Sequence, residues 1–422
     1  MIQPVILYLN NLLEYTGFMK LAELLKKRWY IFLAAGIVLA ACIVLIIMLA
    51  MNSTKKLSVA FYGVEENIVK YLEPEIEKAW PKEVEFTVLS EEDGLSVEEA
   101  GKYSAVITWS GKKARILAQN AAELPAKIYG GMPASVQKAG LSGSRQVFLP
   151  LLYDYSPLFY SKSSLNRGFD EVTDLVSLDA MAQKAIGEYG FSIYTAGSSI
   201  DHFYGFISCM TESIAGAAGY KKLCGLISSG KELGEYIDEK LTEIGGEDIT
   251  FRSILEYIIT LQDTKSLSGQ WHAYSTNDLF LLMSQDEIYA TSMPLSYYRT
   301  IPMRVAANYK PIRFPLGMDN VEHSFVAPTL VMFAGKKTAK KQDFLKALVS
   351  SSVQERLSES TMLIPVSSQA GCYDIYADDG RFYAASSFGG LISPINKECF
   401  TTAEEEAAFK DALVNYITYR KY

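Results

Sequence analysis

Cysteine, histidine and excess positive charge are all scarce in this chain of 422 residues, and each shortage excludes a class of protein. Five cysteines are too few to form the scaffold of a disulfide-rich protein of this length. The three histidines show no HExxH spacing, and the chain has no CxxC pair, so we expect no metal site. A net charge of −8 leaves no general basic surface for nucleic acid.

Sequence signatures of catalysis are missing as well. The chain contains no GxSxG motif, no P-loop and no GxGxxG after its first predicted strand. Its 48 aspartates and glutamates offer too many combinations to identify a catalytic pair. We therefore expect a protein without enzyme activity and without a cofactor.

One long apolar run stands near the N-terminus and raises the mean hydropathy to +0.08. Residues 31–51 carry no charge, and as a helix at about 1.5 Å per residue they span about 30 Å, the thickness of a bilayer core. Lysine and arginine are in excess before this run, so residues 1–30 are expected to be a cytoplasmic stub. Residues 31–51 are then a transmembrane signal-anchor in the cytoplasmic membrane, residues 52–56 a linker, and the rest an acidic extracytoplasmic body, periplasmic or at the cell surface.

Two features leave the form of this anchor open. The sequence Leu39-Ala40-Ala41-Cys42 resembles a bacterial lipobox, which would make Cys42 a lipidated N-terminus. Residues 43–51 stay apolar, which favours an uncleaved signal-anchor instead. The sequence from Met19 onward by itself has the form of a short charged N-terminal region before the span. Whether residues 1–18 are translated is therefore also left open. Both forms of anchor tether the same body outside the membrane.

The exported part begins with a β-α-β-α-β pattern. Strands are predicted over residues 57–63, 84–89 and 103–109, with a helix containing Pro74 after the first of them. This order is typical of a parallel sheet, in which ligands bind beyond the carboxyl ends of the strands. Further strands are predicted over residues 304–309 and 329–333, and a helix capped by Thr250 over residues 251–262.

Aromatic residues mark the candidate binding surface. The chain has 27 tyrosines, and aromatic faces suit the apolar faces of sugar rings. Asp154 and Tyr155 lie in a break between two apolar runs within residues 146–160, a pattern that predicts a crossing between two lobes. For any single aromatic residue, packing in the core remains the alternative to ligand binding. The aromatic candidates at strand ends and crossings are Tyr62, Trp109, Tyr153, Tyr155, Trp271, Tyr297 and Tyr298.

Four cysteines lie in the exported part, where an oxidising compartment permits disulfides. The pairing of nearest neighbours would join Cys209 to Cys224 and Cys372 to Cys399. The absence of any bond is the equally open alternative.

The order of several landmarks resembles a known family. Phe344-Leu345-Lys346, followed by Gln354, Leu357 and Pro365, is similar to a C-terminal run of the bacterial extracellular solute-binding proteins of family 1, the maltose-binding type. Residues 148–165 and 286–293 are similar to two further segments of that family.

This resemblance implies a type II periplasmic-binding-protein-like α/β fold, with two lobes that are each a sheet flanked by helices. Lobe 1 would comprise residues 57–155 plus 309–370 and lobe 2 residues 156–308, with residues 371–422 a C-terminal extension packed on the lobes. The protein would be a monomer that closes like a hinge on a small polar, carbohydrate-like solute and delivers it to an ABC permease. The cleft residues implied by the resemblance are Tyr62, Trp109, Ser110, Asp154, Tyr155 and Tyr297.

Two other functions remain open from the sequence. A degenerate binding fold could act as a sensor or as a protein-interaction module at the membrane. An exported glycosidase is the third reading, and it would need two convergent carboxylates in a cleft.

Overall fold

The computed structural model describes residues 37–43, 56–165, 172–189, 193–317 and 321–420. The chain divides into two units, Met1–Lys56 and Leu57–Tyr422, and the second of them is compact. Residues 37–43 are helical and Cys42 is an exposed free thiol, whereas the rest of the predicted span 31–51, residues 1–30 and most of the linker lie outside the described residues. Within the described part of the chain, no helix combines the length and the apolar character that a membrane crossing requires.

The strands of the second unit are short and mostly buried. In chain order they are β1 (Leu57–Tyr62), β2 (Val84–Leu89), β3 (Ala105–Trp109), β4 (Leu141–Ser142), β5 (Arg145–Gln146), β6 (Phe148–Tyr153), β7 (Leu158–Ser161), β8 (Ile193–Thr195), β9 (Lys240–Ile244), β10 (Glu247–Thr250), β11 (Ala290–Ser292), β12 (Tyr309–Ile312), β13 (Phe325–Val326), β14 (Thr329–Ala334), β15 (Ile364–Pro365) and β16 (Leu391–Ile392).

Helices connect and cover these strands. In chain order they are α1 (Glu66–Ala79), α2 (Val97–Ala100), α3 (Lys112–Leu117), α4 (Ala134–Gln137), α5 (Lys162–Leu165), α6 (Leu175–Tyr189), α7 (Ile200–Ile227), α8 (Leu233–Tyr236), α9 (Phe251–Asp263), α10 (Thr276–Ser284), α11 (Leu295–Tyr298), α12 (Met303–Ala306), α13 (Lys336–Ala339), α14 (Gln342–Leu348), α15 (Ser351–Thr361), α16 (Ile375–Ser386), α17 (Ile395–Cys399) and α18 (Ala403–Tyr419).

The first lobe is built on a six-stranded sheet of order β15-β6-β14-β3-β1-β2. The strands β1, β2 and β3 are parallel, as their spacing predicts, and β14 returns antiparallel between β3 and β6. Every residue of β6 and β14 is buried, whereas β2 at the sheet edge alternates between partly buried and exposed. Helix α1 begins at Glu66 and contains Pro74, and it buries Ile68, Leu72 and Ile76 against the sheet.

The second lobe is built on a four-stranded sheet of order β12-β7-β11-β8. Helix α7 runs through its interior with most of its residues buried, and Gly216 interrupts it with a left-handed φ of 66°. Helix α9 is capped as predicted, because the Thr250 side chain accepts a hydrogen bond from the Ser253 amide. The core of this lobe gathers residues from α6, α7 and α9 around β7 and β11.

The chain passes between the two sheets at the position that the sequence predicts. Strand β6 belongs to the six-stranded sheet and β7 to the four-stranded sheet, so Asp154 and Tyr155 lie in the crossing. The predicted strand 304–309 is wrong, because α12 occupies Met303–Ala306 and the strand β12 starts only at Tyr309. β12 pairs with β7 in the second lobe, so the return to lobe 1 follows Ile312. The remaining lobe and extension boundaries stay predictions.

All five cysteines are free, so neither neighbour pair has formed. Cys399 lies instead against Cys224, where its thiol donates to the Cys224 carbonyl oxygen at 3.6 Å. This contact joins the C-terminal part of the chain to helix α7.

Candidate functional site

A cavity of about 210 Å³ lies where the two lobes face each other. The carboxyl ends of β3 and β6 open into it from the first lobe, as the rule for parallel sheets predicts. Helix α7 and the turn before α11 reach it from the second lobe. Its lining comprises Glu65, Asn67, Ile68, Trp109, Asp154, Tyr155, Ser156, Asp201, Gly205, Pro294, Ser296, Val326, Pro328, Thr361, Leu363, Pro394 and Lys397.

Two aromatic side chains contribute to the apolar surface of this cavity. Trp109 ends β3, and its indole N–H donates to Glu65 Oε2 at 3.1 Å. Tyr155 is nearly fully buried, packs its ring 5.2 Å from Phe325, and donates its hydroxyl to the Tyr376 carbonyl oxygen at 3.3 Å. Both rings are therefore held by hydrogen bonds and packing before any ligand arrives.

Asp154 is the buried carboxylate at the crossing. It accepts hydrogen bonds from the Tyr155 amide at 2.8 Å and the Ser296 hydroxyl at 2.6 Å. Burial raises the pKa of Asp154, and these hydrogen bonds offset only part of that effect. Since Ser296 belongs to α11 of the second lobe, Asp154 ties the crossing strand to the opposite wall of the cavity.

Three further charged side chains line the cavity. Glu65 follows β1, Asp201 lies in the first turn of α7, and Lys397 lies on α17. Burial raises the pKa of Glu65, in spite of the hydrogen bond from Trp109. Burial alone would lower the pKa of Lys397, but the nearby carboxylates, with Asp201 the strongest, outweigh it and raise that pKa.

Lys397 reaches the cavity because residues 393–399, here called the bridging segment, touch both lobes. On the side of the first lobe, Ser110 and Ser393 share a hydrogen bond of 2.7 Å between their hydroxyls, and the Lys112 ammonium donates to the Cys399 carbonyl oxygen at 2.9 Å. Gly111 adopts φ +140° directly under the segment, where a β-carbon would overlap the Lys397 carbonyl oxygen.

On the side of the second lobe, the bridging segment is held by α7. The Ile395 amide donates to the Ser208 hydroxyl at 2.9 Å, and the Tyr220 hydroxyl donates to the Ser393 carbonyl oxygen at 2.8 Å. The Asn396 amide group donates to Asp201 Oδ1 at 3.3 Å. The segment thus connects the lobes beside the cavity that Asp154 also lines.

A smaller cavity of about 30 Å³ adjoins the first and shares Trp109 and Lys397 with it. Ser110 and Glu91 also line it, and Lys397 forms its ion pair there with Glu91 at 3.5 Å. Among the described residues, no group of three or more His, Cys, Asp or Glu side chains lies close enough to hold a metal ion.

Comparison with known proteins identifies the family. Residues 91–383 match the family model described as bacterial extracellular solute-binding protein. The chain belongs to this family. No curated protein matches the chain.

Solved structures of solute-binding proteins share the fold. The bacterial solute receptor AcbH, described as preferring β-D-galactopyranose, is 10% identical and superimposes with a TM-score of 0.67 over 86% of this chain and 98% of that one. The putative binding protein MsmE of Bacillus subtilis, in an open conformation, is 14% identical with a TM-score of 0.63 over 86% and 94% of the two chains. Maltose-bound MalE3 of T. maritima is 14% identical with a TM-score of 0.55 over 87% and 95%.

The structure brings only some of the predicted site residues together. Trp109, Asp154 and Tyr155 line the larger cavity, and Ser110 lines the smaller one. Tyr62 is buried outside both linings, with the Lys113 ammonium 5.3 Å from its ring centre.

Tyr153 is fully buried at the end of β6 in the first lobe, and three other predicted aromatics pack in the second lobe. Trp271 is fully buried and stacks on Phe203 with ring centres 5.3 Å apart. Tyr298 is buried and stacks on Phe159 at 4.3 Å. Tyr297 packs edge-on against His202 and donates its hydroxyl to the Thr276 carbonyl oxygen at 3.2 Å. None of the three lines either cavity.

Sequence reasoning missed Glu65, Asp201 and Lys397 as members of the cavity lining. Glu65 had a usable signal, since it lies just beyond the carboxyl end of β1, where ligands of parallel sheets bind. Asp201 and Lys397 have no such signal, because only the packing of α7 and α17 brings them to the same place.

Proposed function

We propose that this protein is a membrane-tethered receptor that binds a carbohydrate or similar polar solute between its lobes and delivers it to an ABC permease. The cavity between the two lobes carries this proposal. It combines aromatic surface from Trp109 and Tyr155 with carboxylates that accept hydrogen bonds from hydroxyl groups. Solute-binding proteins of the same fold, described as binding galactopyranose, maltose or raffinose, support it.

The binding motion is hinge closure about the crossing. Asp154 and Tyr155 connect the sheets at one edge of the cavity, so rotation there changes the distance between Trp109 and the wall formed by Asp201 and Ser296. A ligand that contacts both walls stabilises the closed arrangement, since its contacts exist only there.

Thermal unfolding of the full chain in detergent, followed by tryptophan fluorescence, tests this function. Ligand that binds only the folded state raises the midpoint, by an amount that corresponds to about 2.7 kcal/mol at one hundred times Kd. We expect at least one sugar of a broad panel to do so, and Trp109→Ala to abolish the effect. A panel without any stabilising sugar would count against a carbohydrate receptor.

The anchor is proposed from residues 31–51 and its form from Cys42. Extraction of bacterial membranes with alkaline carbonate should leave the chain in the membrane fraction. Labelling with an alkyne fatty acid, compared between the natural chain and Cys42→Ala, distinguishes a lipidated anchor from an uncleaved helix. Release of the unlabelled chain by carbonate would refute the tether.

A second candidate function is an interaction module at the membrane that no longer transports. The bridging segment favours it, because its bonds to Ser110, Lys112, Ser208 and Tyr220 connect the lobes and restrain their opening. Crosslinking in membranes distinguishes the two functions: a permease subunit as the main partner supports transport, and a sensor or secretion protein supports the module.

A further inference from the structure

We propose that the cavity selects a solute of one sugar ring that bears a protonated amine. This inference rests on the proposed function, which it narrows to a substrate class. It follows from the cavity volume, from the balance of charges around it, and from acceptor atoms next to it that lack donors.

The volume suits a single ring. A cavity of about 150 Å³ holds one unsubstituted six-membered carbon ring. The cavity here has about 210 Å³, which leaves room for the substituents of one pyranose ring and none for a second ring. The ligand is therefore of monosaccharide size in this arrangement of the lobes.

The charges lining the cavity are unbalanced. Glu65, Asp154 and Asp201 contribute three carboxylates against the single ammonium of Lys397. Among the described residues, none of the three carboxylates has a cationic partner within 4.0 Å, because Lys397 forms its ion pair with Glu91 instead. A buried excess of carboxylate is costly unless a cation compensates it.

The positive charge of Lys397 does not cancel this excess. Four carboxylates act on its ammonium group, those of Glu65, Glu91, Asp201 and Glu406, and Glu91 also pairs with the Lys113 ammonium at 3.2 Å. Four carboxylates against two ammonium groups leave the surroundings of Lys397 acidic overall. Burial raises the pKa values of Glu65 and Asp154, which means that their buried surroundings disfavour the charged forms of both carboxyl groups. A cation bound between them would restore those charges.

Unpartnered acceptors beside the cavity point the same way. Asn396 is 3% exposed and its Oδ1 has no hydrogen-bond donor, and Oε1 of Glu406 has none either. Both residues line the smaller cavity, which shares Trp109 and Lys397 with the larger one. An ammonium group offers three donors and no acceptor, so it satisfies such a surplus of acceptors better than a hydroxyl group does.

The experiment compares four probes on the full chain in detergent by titration calorimetry at about pH 6, below the pKa of an α-amino group. The probes are D-glucosamine, D-glucose, N-acetyl-D-glucosamine and D-glucuronate. The first two share a ring and differ in the amine, and the third carries the same nitrogen without its charge. We expect glucosamine to bind at least about tenfold more tightly than both neutral sugars and glucuronate to bind most weakly.

Variants connect this preference to the cavity. Asp201→Asn should reduce the preference for glucosamine over glucose to less than about threefold, whereas Lys397→Met should increase it, since it removes the repelling ammonium. Glu98→Gln, an exposed carboxylate in a surface pair with Lys102, is the matched control and should keep the preference of the natural chain. Thermal midpoints without sugar identify any variant that fails to fold.

The outcomes of these experiments distinguish the selectivity for an amine from the proposed function as a sugar receptor. Equal or tighter binding of glucose, N-acetylglucosamine or glucuronate would overturn the amine selectivity and leave the sugar receptor intact. A preference for glucosamine that Asp201→Asn and Lys397→Met both leave unchanged would also overturn it. If none of the four probes bound, both the inference and the carbohydrate function would lose their support.

Discussion

Trp271 provides a test of whether a predicted binding aromatic contacts the ligand or packs in the core. It is one of the aromatics that the sequence suggests for the binding surface, yet it is fully buried in the second lobe. Its ring lies 5.3 Å from Phe203 and 5.1 Å from Phe206, and its indole N–H has no acceptor. We expect Trp271→Ala to destabilise the fold and to leave the sugar selectivity of the remaining folded protein unchanged.

The magnitude follows from the environment of the ring. Removing a buried tryptophan side chain costs about 3–5 kcal/mol, and losing the unpartnered N–H returns about 1 kcal/mol, so about 2–4 kcal/mol remains. Unfolding of roughly 370 residues carries an entropy of about 0.8 kcal/mol/K at about 2.1 cal/mol/K per residue. The thermal midpoint should therefore fall by about 2.5–5 °C.

The assay is thermal unfolding with and without the sugar that stabilises the natural chain most. Trp109→Ala is the matched control, because Trp109 is a tryptophan that lines the cavity and is only partly buried. It should lower the midpoint by less than about 2 °C and abolish the stabilisation by sugar. If Trp271→Ala kept its midpoint but lost the stabilisation by sugar, Trp271 would be a binding residue and the reasoning would be refuted.

Three further predictions follow from single positions. Gly111→Ala should cost about 1–3 kcal/mol and weaken sugar binding, because the new β-carbon would displace Lys397, whereas Gly143→Ala, also at positive φ but with open space around it, should leave binding unchanged; calorimetry checks both. Burial lowers the pKa of His202 from 6.5 to about 4, so between these pH values the unfolded chain binds a proton that the folded chain does not. The free energy of unfolding should therefore fall by about 3 kcal/mol as the pH drops from about 6.5 to about 4. Urea unfolding should show this slope and lose it in His202→Gln, and an unchanged slope would contradict it. Hydrogen bonds from Arg356 lower the pKa of Glu75, so about 1 kcal/mol of stability is present above pH 4.5 and lost below it. In Glu75→Gln the urea midpoint should therefore change less with pH below 4.5 than in the natural chain. An equal loss of stability in acid in both proteins would contradict the role of this pair.

Local patterns in the sequence were sufficient for much of the architecture. The apolar runs predict β1, β2 and β3, and they also predict their parallel arrangement through the helices between them. Thr250 marks the start of α9 because a side-chain cap acts within one turn of helix. The break at Asp154 and Tyr155 marks the crossing because it separates two buried apolar strands, β6 and β7, that belong to different sheets.

Other features depended on contacts between distant parts of the chain. Residues 304–309 have the composition of a strand, but Pro302 precedes a turn of helix there, and pairing with β7 begins only at Tyr309. Trp271 and Tyr298 look like binding aromatics in the sequence and are core residues in the fold, because the packing around Phe203 and Phe159 decides which face of a ring stays accessible.

The sequence alone therefore determined the class of fold, the family resemblance and three residues of the cavity at strand ends, Trp109, Asp154 and Tyr155. The tertiary structure decided the composition of the cavity. Glu65, Asp201 and Lys397 come from three distant segments, and they meet only because the bridging segment packs against both α7 and Gly111. A local pattern records the preference of each segment for helix or strand, but which charged side chains share a buried volume is a property of the packed lobes.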